Sequence, residues 1–317
     1  MSVPRATTLV TDSGCDLPID LLGRFSVKLL PFPYTLDGKE HIDDLGQTLS
    51  YEKFYGELEA GVHATTSQVR QLDCEAVFRQ AYAENRAVVL LTISSGLSGS
   101  FDSAESVRRS FMARNPDAEI HVIDSLSVSA GQGLLVLEMA RRLAEGASAG
   151  EVAAWAVENR SRVHHLFTVE SFDYLVRGGR ISPTVASAGS ILNVKPIMRV
   201  NAEGRLVAVR HSRGRRRSVE TLVDMAVREM DGYGSSVVVG HACCAEDADD
   251  VRRAIVGRTQ VDEVIVSWIG VIIGAHVGPG GLVVAFWGSP RGALARSDSS
   301  TGRIEARYSD AIARECT

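Results

Sequence analysis

Cysteine is scarce and scattered in this 317-residue chain, with five residues at positions 15, 74, 243, 244 and 316. The number is odd, and no grouping has disulfide-framework or zinc-ligand spacing, so neither a disulfide scaffold nor a bound metal is expected. Long apolar runs are missing as well. No stretch approaches the roughly 18 residues of a membrane span, because charge or glycine interrupts each candidate. The opening MSVPRATTLVTDSG lacks the apolar core of a signal peptide. A cytoplasmic protein is therefore expected. There is no basic excess either. A net charge of −5 and a pI near 5.9 give no global field for nucleic acid or an anionic membrane. Neither G-x-x-x-x-G-K-[ST] nor G-x-G-x-x-G occurs, which removes the common nucleotide cradles.

What remains is an ordinary globular composition, 45% hydrophobic, which suffices for a large core. The length suggests two domains. In the first half, β-prone and helical segments alternate. Thr8 to Thr11 is a short strand, and Ala87 to Ile93 is continuously apolar, as a strand covered on both faces should be. A helix follows from about Phe101 to Arg114, then a strand at Ile120 to Ile123 and an amphipathic helix from Gly133 to Leu143. This alternation implies a parallel, Rossmann-like α/β sheet over residues 1–163. A second, mixed α/β domain is expected over 164–288. Its strands begin at His165 to Val169, and a hairpin of Lys195 to Val200 and Arg205 to Arg210 follows a helix at Thr184 to Leu192. Residues 289–317, rich in Ser, Arg and Ala with no apolar period, read as a flexible tail.

Six segments draw attention for their chemistry. The loop Ser94 to Ser100 leaves a buried strand and enters a helix, with two glycines and four serines. A helix start offers unpaired N–H groups and partial positive charge, so the loop suits an anion as well as it suits a plain serine-capped turn. Thr65 to Gln68 reads most simply as a helix start with a hydroxyl cap. His276 stands between Gly274 and Gly278-Pro279-Gly280, a setting that favours an imidazole turned to a ligand over a packed core histidine. Arg177-Gly178-Gly179-Arg180 and the run Arg210 to Arg217 are basic clusters in an acidic protein. A solvated face or an acidic partner fits them better than nucleic acid does. His241-Ala242-Cys243-Cys244 is too tightly spaced for a metal shell.

Taken in order, several blocks resemble the signatures of the DegV family. They are Thr11-Asp12-Ser13, Thr66-Ser67-Gln68, Ile93 to Ser100, Ile123-Asp124-Ser125, Leu175 to Ile181, Lys195-Pro196-Ile197 and Gly274 to Gly280. The resemblance covers residues 8 to 288 and implies a two-domain α/β fold with a long-chain fatty acid held between the domains. It implies a FakB-like, non-enzymatic carrier. A partner fatty acid kinase (FakA-like), which itself uses ATP and magnesium, would phosphorylate the bound carboxylate for phospholipid metabolism. By the same resemblance the carboxylate falls to Thr66, Ser67, Ser94, Ser95, Gly96 and His276, and kinase or phosphate contact to Arg180 and Arg213. Val69 departs from the family's proline after Thr-Ser-Gln. No heptad pattern appears, so a monomer without cofactor is expected.

Two readings from other classes compete. A serine-dependent acyl hydrolase or acyltransferase would use Ser95 or Ser98 with His276, although Gly96-Leu97-Ser98-Gly99-Ser100 misses the G-x-S-x-G elbow by one position. A DNA-binding regulator would rest on the arginine run alone and predicts salt-sensitive binding.

Overall fold

Strands that are buried on both faces must be apolar at every position, and that is where the chain builds its first sheet. The structure is a computed structural model and describes residues 5–183 and 194–294. In chain order the strands are β1 (Thr7–Asp12), β2 (Lys28–Leu30), β3 (Pro33–Leu36), β4 (Lys39–Ile42), β5 (Ala64–Thr66), β6 (Ala87–Thr92) and β7 (Ile120–Asp124). All-buried β6 sits at the middle of a parallel sheet ordered β2-β1-β6-β7, with Val10 opposite Leu90 and Leu91 opposite Ile123. The helix Ser100–Arg114 makes the crossover from β6 to β7, as parallel neighbours require. β4, β3 and β5 form a small antiparallel sheet that carries Thr66 opposite Tyr34. Thr66 therefore ends a strand, and the next helix starts later, at Gln71.

The second sheet contains β8 (Val163–Thr168), β9 (Val194–Val200), β10 (Leu206–Arg213), β11 (Ser236–His241), β12 (Glu263–Trp268) and β13 (Leu282–Trp287). Its order is β10-β9-β8-β13-β11-β12, antiparallel except for β11 against β12. The α/β architecture is thus one parallel and one mixed sheet. Strand alternation divides the packing: Leu166 and Val284 join the helices Arg215–Glu229 and Ala245–Val256 on one face. Phe167 and Val283 face the other way, into a core shared with the first sheet.

The helix Ser129–Ala144 lies between the two sheets. It touches β1 and β6 on one side and β8, β11 and β13 on the other. That explains why Leu134, Leu135, Val136, Leu137 and Met139 are all buried, a pattern wider than the single stripe of a surface helix. The chain also continues in order past Ser289, where a tail was expected. A short helix spans Arg291–Leu294, and Arg291 is buried, donating to the carbonyls of Asn201 (2.9 Å) and Arg160 (3.2 Å). Those two carbonyls hold the segment, although it has no apolar period to betray it. The rest of the expected tail and the expected helix Thr184 to Leu192 lie outside the described residues.

Candidate ligand-binding site

A cavity of about 380 Å³ opens between the sheets, within the range of small-molecule sites. Its polar residues are graded by depth. Ser67, Gln68 and Gly99 are exposed at the mouth; Thr66, Ser98, Arg180 and His276 are half-buried behind them; Ser129 and His165 are fully buried. Between these levels the wall is apolar, built from Ile93, Leu97, Phe167, Val169, Ile272, Ile273 and others.

His276 reaches the cavity from a seven-residue helix, Val271–Val277. Two glycines make this placement possible. Gly274 lets the helix press onto Tyr55, since a Cβ there would come within 2.5 Å of the phenol oxygen. Gly178 leaves room for the ring itself, since a Cβ would lie 2.1 Å from His276 Nδ1. The ring's Nε2 is 2.8 Å from Thr66 Oγ1. Burial, with a smaller contribution from Arg180, pushes the imidazole down to about 4, so it is neutral at physiological pH. Nδ1 has no hydrogen-bond partner among the described residues.

Arg180 donates from Nε to Leu97 O (3.3 Å) and from Nη1 to Gly178 O. Burial lowers its pKa, and no ion pair to it occurs among the described residues. A half-buried guanidinium that bonds only carbonyls retains charge for an incoming anion.

The loop after β6 divides its labour. Ser94 Oγ donates to Gly204 O (2.8 Å) and accepts from Gly96 N (3.1 Å). Ser95 gives both N–H (3.0 Å) and Oγ (2.5 Å) to the Asp124 carboxylate. Gly96 lies against the β9–β10 turn, where a Cβ would meet Gly204 O at 2.8 Å. These three fasten the loop to its neighbours, and the cavity wall is formed instead by Leu97, Ser98 and Gly99. Of the residues singled out in the sequence, Thr66, Ser67, Ser98, Arg180 and His276 line the cavity. Ser94 (buried), Ser95 (exposed) and Gly96 (half-buried) are not part of the lining, and Arg213 is exposed at the end of β10.

A hydrolytic triad is not assembled among the described residues. Ser98 Oγ is engaged with Ser100 Oγ (2.9 Å), His276 with Thr66, and no carboxylate orients the imidazole. No group of three or more His, Cys, Asp or Glu placed to hold a metal occurs among them. The arginine run is partly consumed in structure: Arg215 pairs with Asp247 (2.8 Å) and Glu170 (3.4 Å), while Arg213 and Arg217 stay exposed. No helix among the described residues is long and apolar enough to cross a membrane.

Several cavity residues are not among those assigned from the sequence. Gln68 is one; its Oε1 lies where a Cβ on Gly99 would fall, at 2.5 Å. Ser129 and His165 are others. Ser129 donates to the buried Asp16, whose carboxyl also accepts from Gly270 N (2.9 Å) and is raised to about 8, chiefly by burial. His165 lies in β8, VHHLFT, a strand whose residues are all buried.

Comparison with known proteins places this geometry. The family described as uncharacterised protein, DegV family, matches residues 6–287. A DegV domain-containing protein of Clostridium perfringens is 33% identical over 284 residues, covering 89% of this chain and 98% of that one. Among solved structures, a DegV family protein from Thermus thermophilus described for its fatty acid binding is 30% identical. It superposes at a TM-score of 0.79 and covers 89% of this chain and 99% of its own. A stearic-acid-binding protein from Eubacterium ventriosum is 26% identical at a TM-score of 0.79, with 89% and 98% covered.

Proposed function

This chain belongs to the DegV family, and we propose that it is a carrier that binds a long-chain fatty acid by its carboxylate. The observation that carries the reading is a cavity whose wall is mostly apolar and in whose lining Arg180, His276 and Thr66 come together. Each methylene taken from water contributes roughly 0.8 kcal/mol, so the chain supplies most of the affinity and the polar end fixes its direction. The carboxylate is the only charge such a ligand brings, and Arg180 is the cation that faces it. Because Ser67, Gln68 and Gly99 are exposed at that end, the head group sits where a second protein reaches it.

We extend the reading to the step after binding. The carrier presents the carboxylate to a fatty acid kinase, FakA-like, that brings its own ATP and magnesium. The acyl phosphate formed there enters phospholipid synthesis. Arg213, exposed on β10, is assigned to contact with that kinase or the new phosphate. Four described cysteines are free, which suits a cytoplasmic setting.

The test begins with a native mass spectrum of freshly purified protein, followed by organic extraction. One long-chain fatty acid, released by solvent, is expected. A mass that stays unliganded after incubation with a series of fatty acids would overturn the carrier reading. With binding established, ATP consumption by an added fatty acid kinase, dependent on the loaded carrier and reduced by Arg213→Glu, tests the presentation step.

A further inference from the structure

An acyl chain held by its carboxylate must end somewhere inside the cavity, and two strands of the second sheet mark the place. β8 turns Val163, His165, Phe167 and, one residue beyond its end, Val169 to one face. His165, Phe167 and Val169 line the cavity, while Val163, fully buried, lies outside the lining. β13 shows the same limit. Val283, opposite Phe167, lines the cavity; Ala285, opposite His165, and Trp287, opposite Val163, do not. Along both strands the open space therefore stops at His165, which is 1% exposed. Beyond it the interior is filled by Val163 and Trp287, with the Trp155 ring against Trp287 at 5.8 Å between centroids. At the other end, Val169 leads into the helix Asp173–Arg177, which packs on the helix carrying His276. From Val169 back to His165 is about 13 Å, at ~3.3 Å per residue.

The ring at this limit is fixed in place. Its tip is seated over Gly131, where a Cβ would come within 1.8 Å of Nε2, and Nε2 accepts the N–H of Val128 at 3.3 Å. Val128 and Ser129 also line the cavity. They open the helix Ser129–Ala144, and Ser129 donates to the buried Asp16. A ring wedged against backbone and tied at its tip does not swing aside for one more methylene, because a close-packed interior transmits strain and does not absorb it.

We propose that His165 is the stop against which the methyl end of the acyl chain rests, and that it sets the longest chain the cavity accepts with its carboxylate in place. The proposal rests on the fatty-acid reading above and adds chain length to it. Below the limit each further methylene is buried and contributes about 4-fold in affinity. Above it the chain must push its carboxylate away from Arg180 and His276 or leave methylenes in water, and the gain ends.

The experiment is a displacement series on delipidated protein, in which saturated straight-chain acids of increasing length compete with a fluorescent fatty acid. Affinity is expected to rise about 4-fold per carbon up to a limit and then to level or fall. In His165→Ala the limit should move up by about two carbons, the space of the ring removed, while acids well below it change by less than about 3-fold. Should that variant not fold, a saturated acid with a diazirine at its methyl end decides on the wild type. Photolysis should join it to His165, Val128 or Ser129, as read by peptide mass spectrometry. A limit at the same length in His165→Ala, or labelling that spares all three residues, would overturn the stop and leave the carrier standing. Failure of every acid to bind would overturn both.

Discussion

Gly178→Ala separates the chemistry of the head-group site from the backbone that carries it. At φ −74° and ψ −8°, Gly178 has a conformation alanine adopts freely, and such an exchange by itself stabilises a chain by about 0.4–1 kcal/mol. The added methyl, however, would fall 2.1 Å from His276 Nδ1, where ordinary contact begins near 3.4 Å. The ring must retreat by about 1.3 Å, the difference of those two distances. That carries Nε2 from 2.8 Å to hydrogen-bond failure at Thr66. Hydrogen bonds to a charged group are worth about 1.5–3 kcal/mol, so fatty acid affinity should fall by about 10- to 100-fold, together with about 1–3 kcal/mol of stability for the crowded ring. Gly179→Ala is the mirror case. Its φ of +69° strains an L-residue, yet nothing lies within 4 Å of the new methyl. It should cost about 1–2 kcal/mol, a few degrees of Tm, and leave affinity within about 3-fold. Displacement of a fluorescent fatty acid and a melting curve read both quantities on each variant. Wild-type affinity in Gly178→Ala would refute the idea that His276, held against Thr66, reads the carboxylate. Equal losses in the two variants would assign the effect to the turn as a whole.

Three further outcomes are expected. Arg180→Gln should weaken a fatty acid about 10-fold but a fatty alcohol of the same length hardly at all, measured by the same displacement, because only the acid has a charge to meet. Ser95→Ala and Gly96→Ala should lower stability, by about 1 kcal/mol for the lost Asp124 bond and about 1–3 kcal/mol for the crowded Gly204 carbonyl, without moving affinity; a large loss of binding at unchanged Tm would place them in the site after all. Asp16 keeps its proton to about pH 8 in the folded chain, against about 3.9 when unfolded. The folded state therefore holds the extra proton across that window, and the stability this gives is complete below pH 4 and lost as pH rises toward 8. Tm plotted against pH should decline less steeply over pH 4–8 for Asp16→Asn than for the wild type; parallel curves would refute it.

How far the sequence reached depended on how much each element advertises itself. The runs AVVLLT and SVVVGH are apolar because both faces are covered, and they could be read directly. The segment from Lys28 to Thr66 could not, since β2 and β5 have three residues each and β4 is largely exposed. Such short strands offer too few positions for a period-two signal. The helix Val271–Val277 was masked by its own glycine, which serves close packing on Tyr55 rather than a turn. In the site, His276 was legible as an imidazole in an unusual setting, whereas Thr66, whose own segment read as a helix cap, was singled out only by the family resemblance. The division inside the 94–100 loop was not, because which serine faces the cavity is decided by Asp124 and Gly204, 29 and 110 residues away from their partners. His165 looked like one more residue of a buried strand.

The helix set between the two sheets governs how cargo enters and leaves. Were the halves to part like a hinged shell, that helix would have to abandon one sheet. Of Leu134, Leu135, Val136, Leu137 and Met139, all buried to 2% exposure or less, those facing that sheet would lose cover. At about 1.5–3 kcal/mol each, the cost rivals the ~5–15 kcal/mol that holds a whole domain folded. Exchange that leaves this helix packed against both sheets avoids that cost. On the proposed carrier reading, loading proceeds lengthwise through the gap at Ser67, Gln68 and Gly99, tail first, and unloading reverses it. On that reading the dwell time of the cargo is governed by fluctuations of a few residues at that rim.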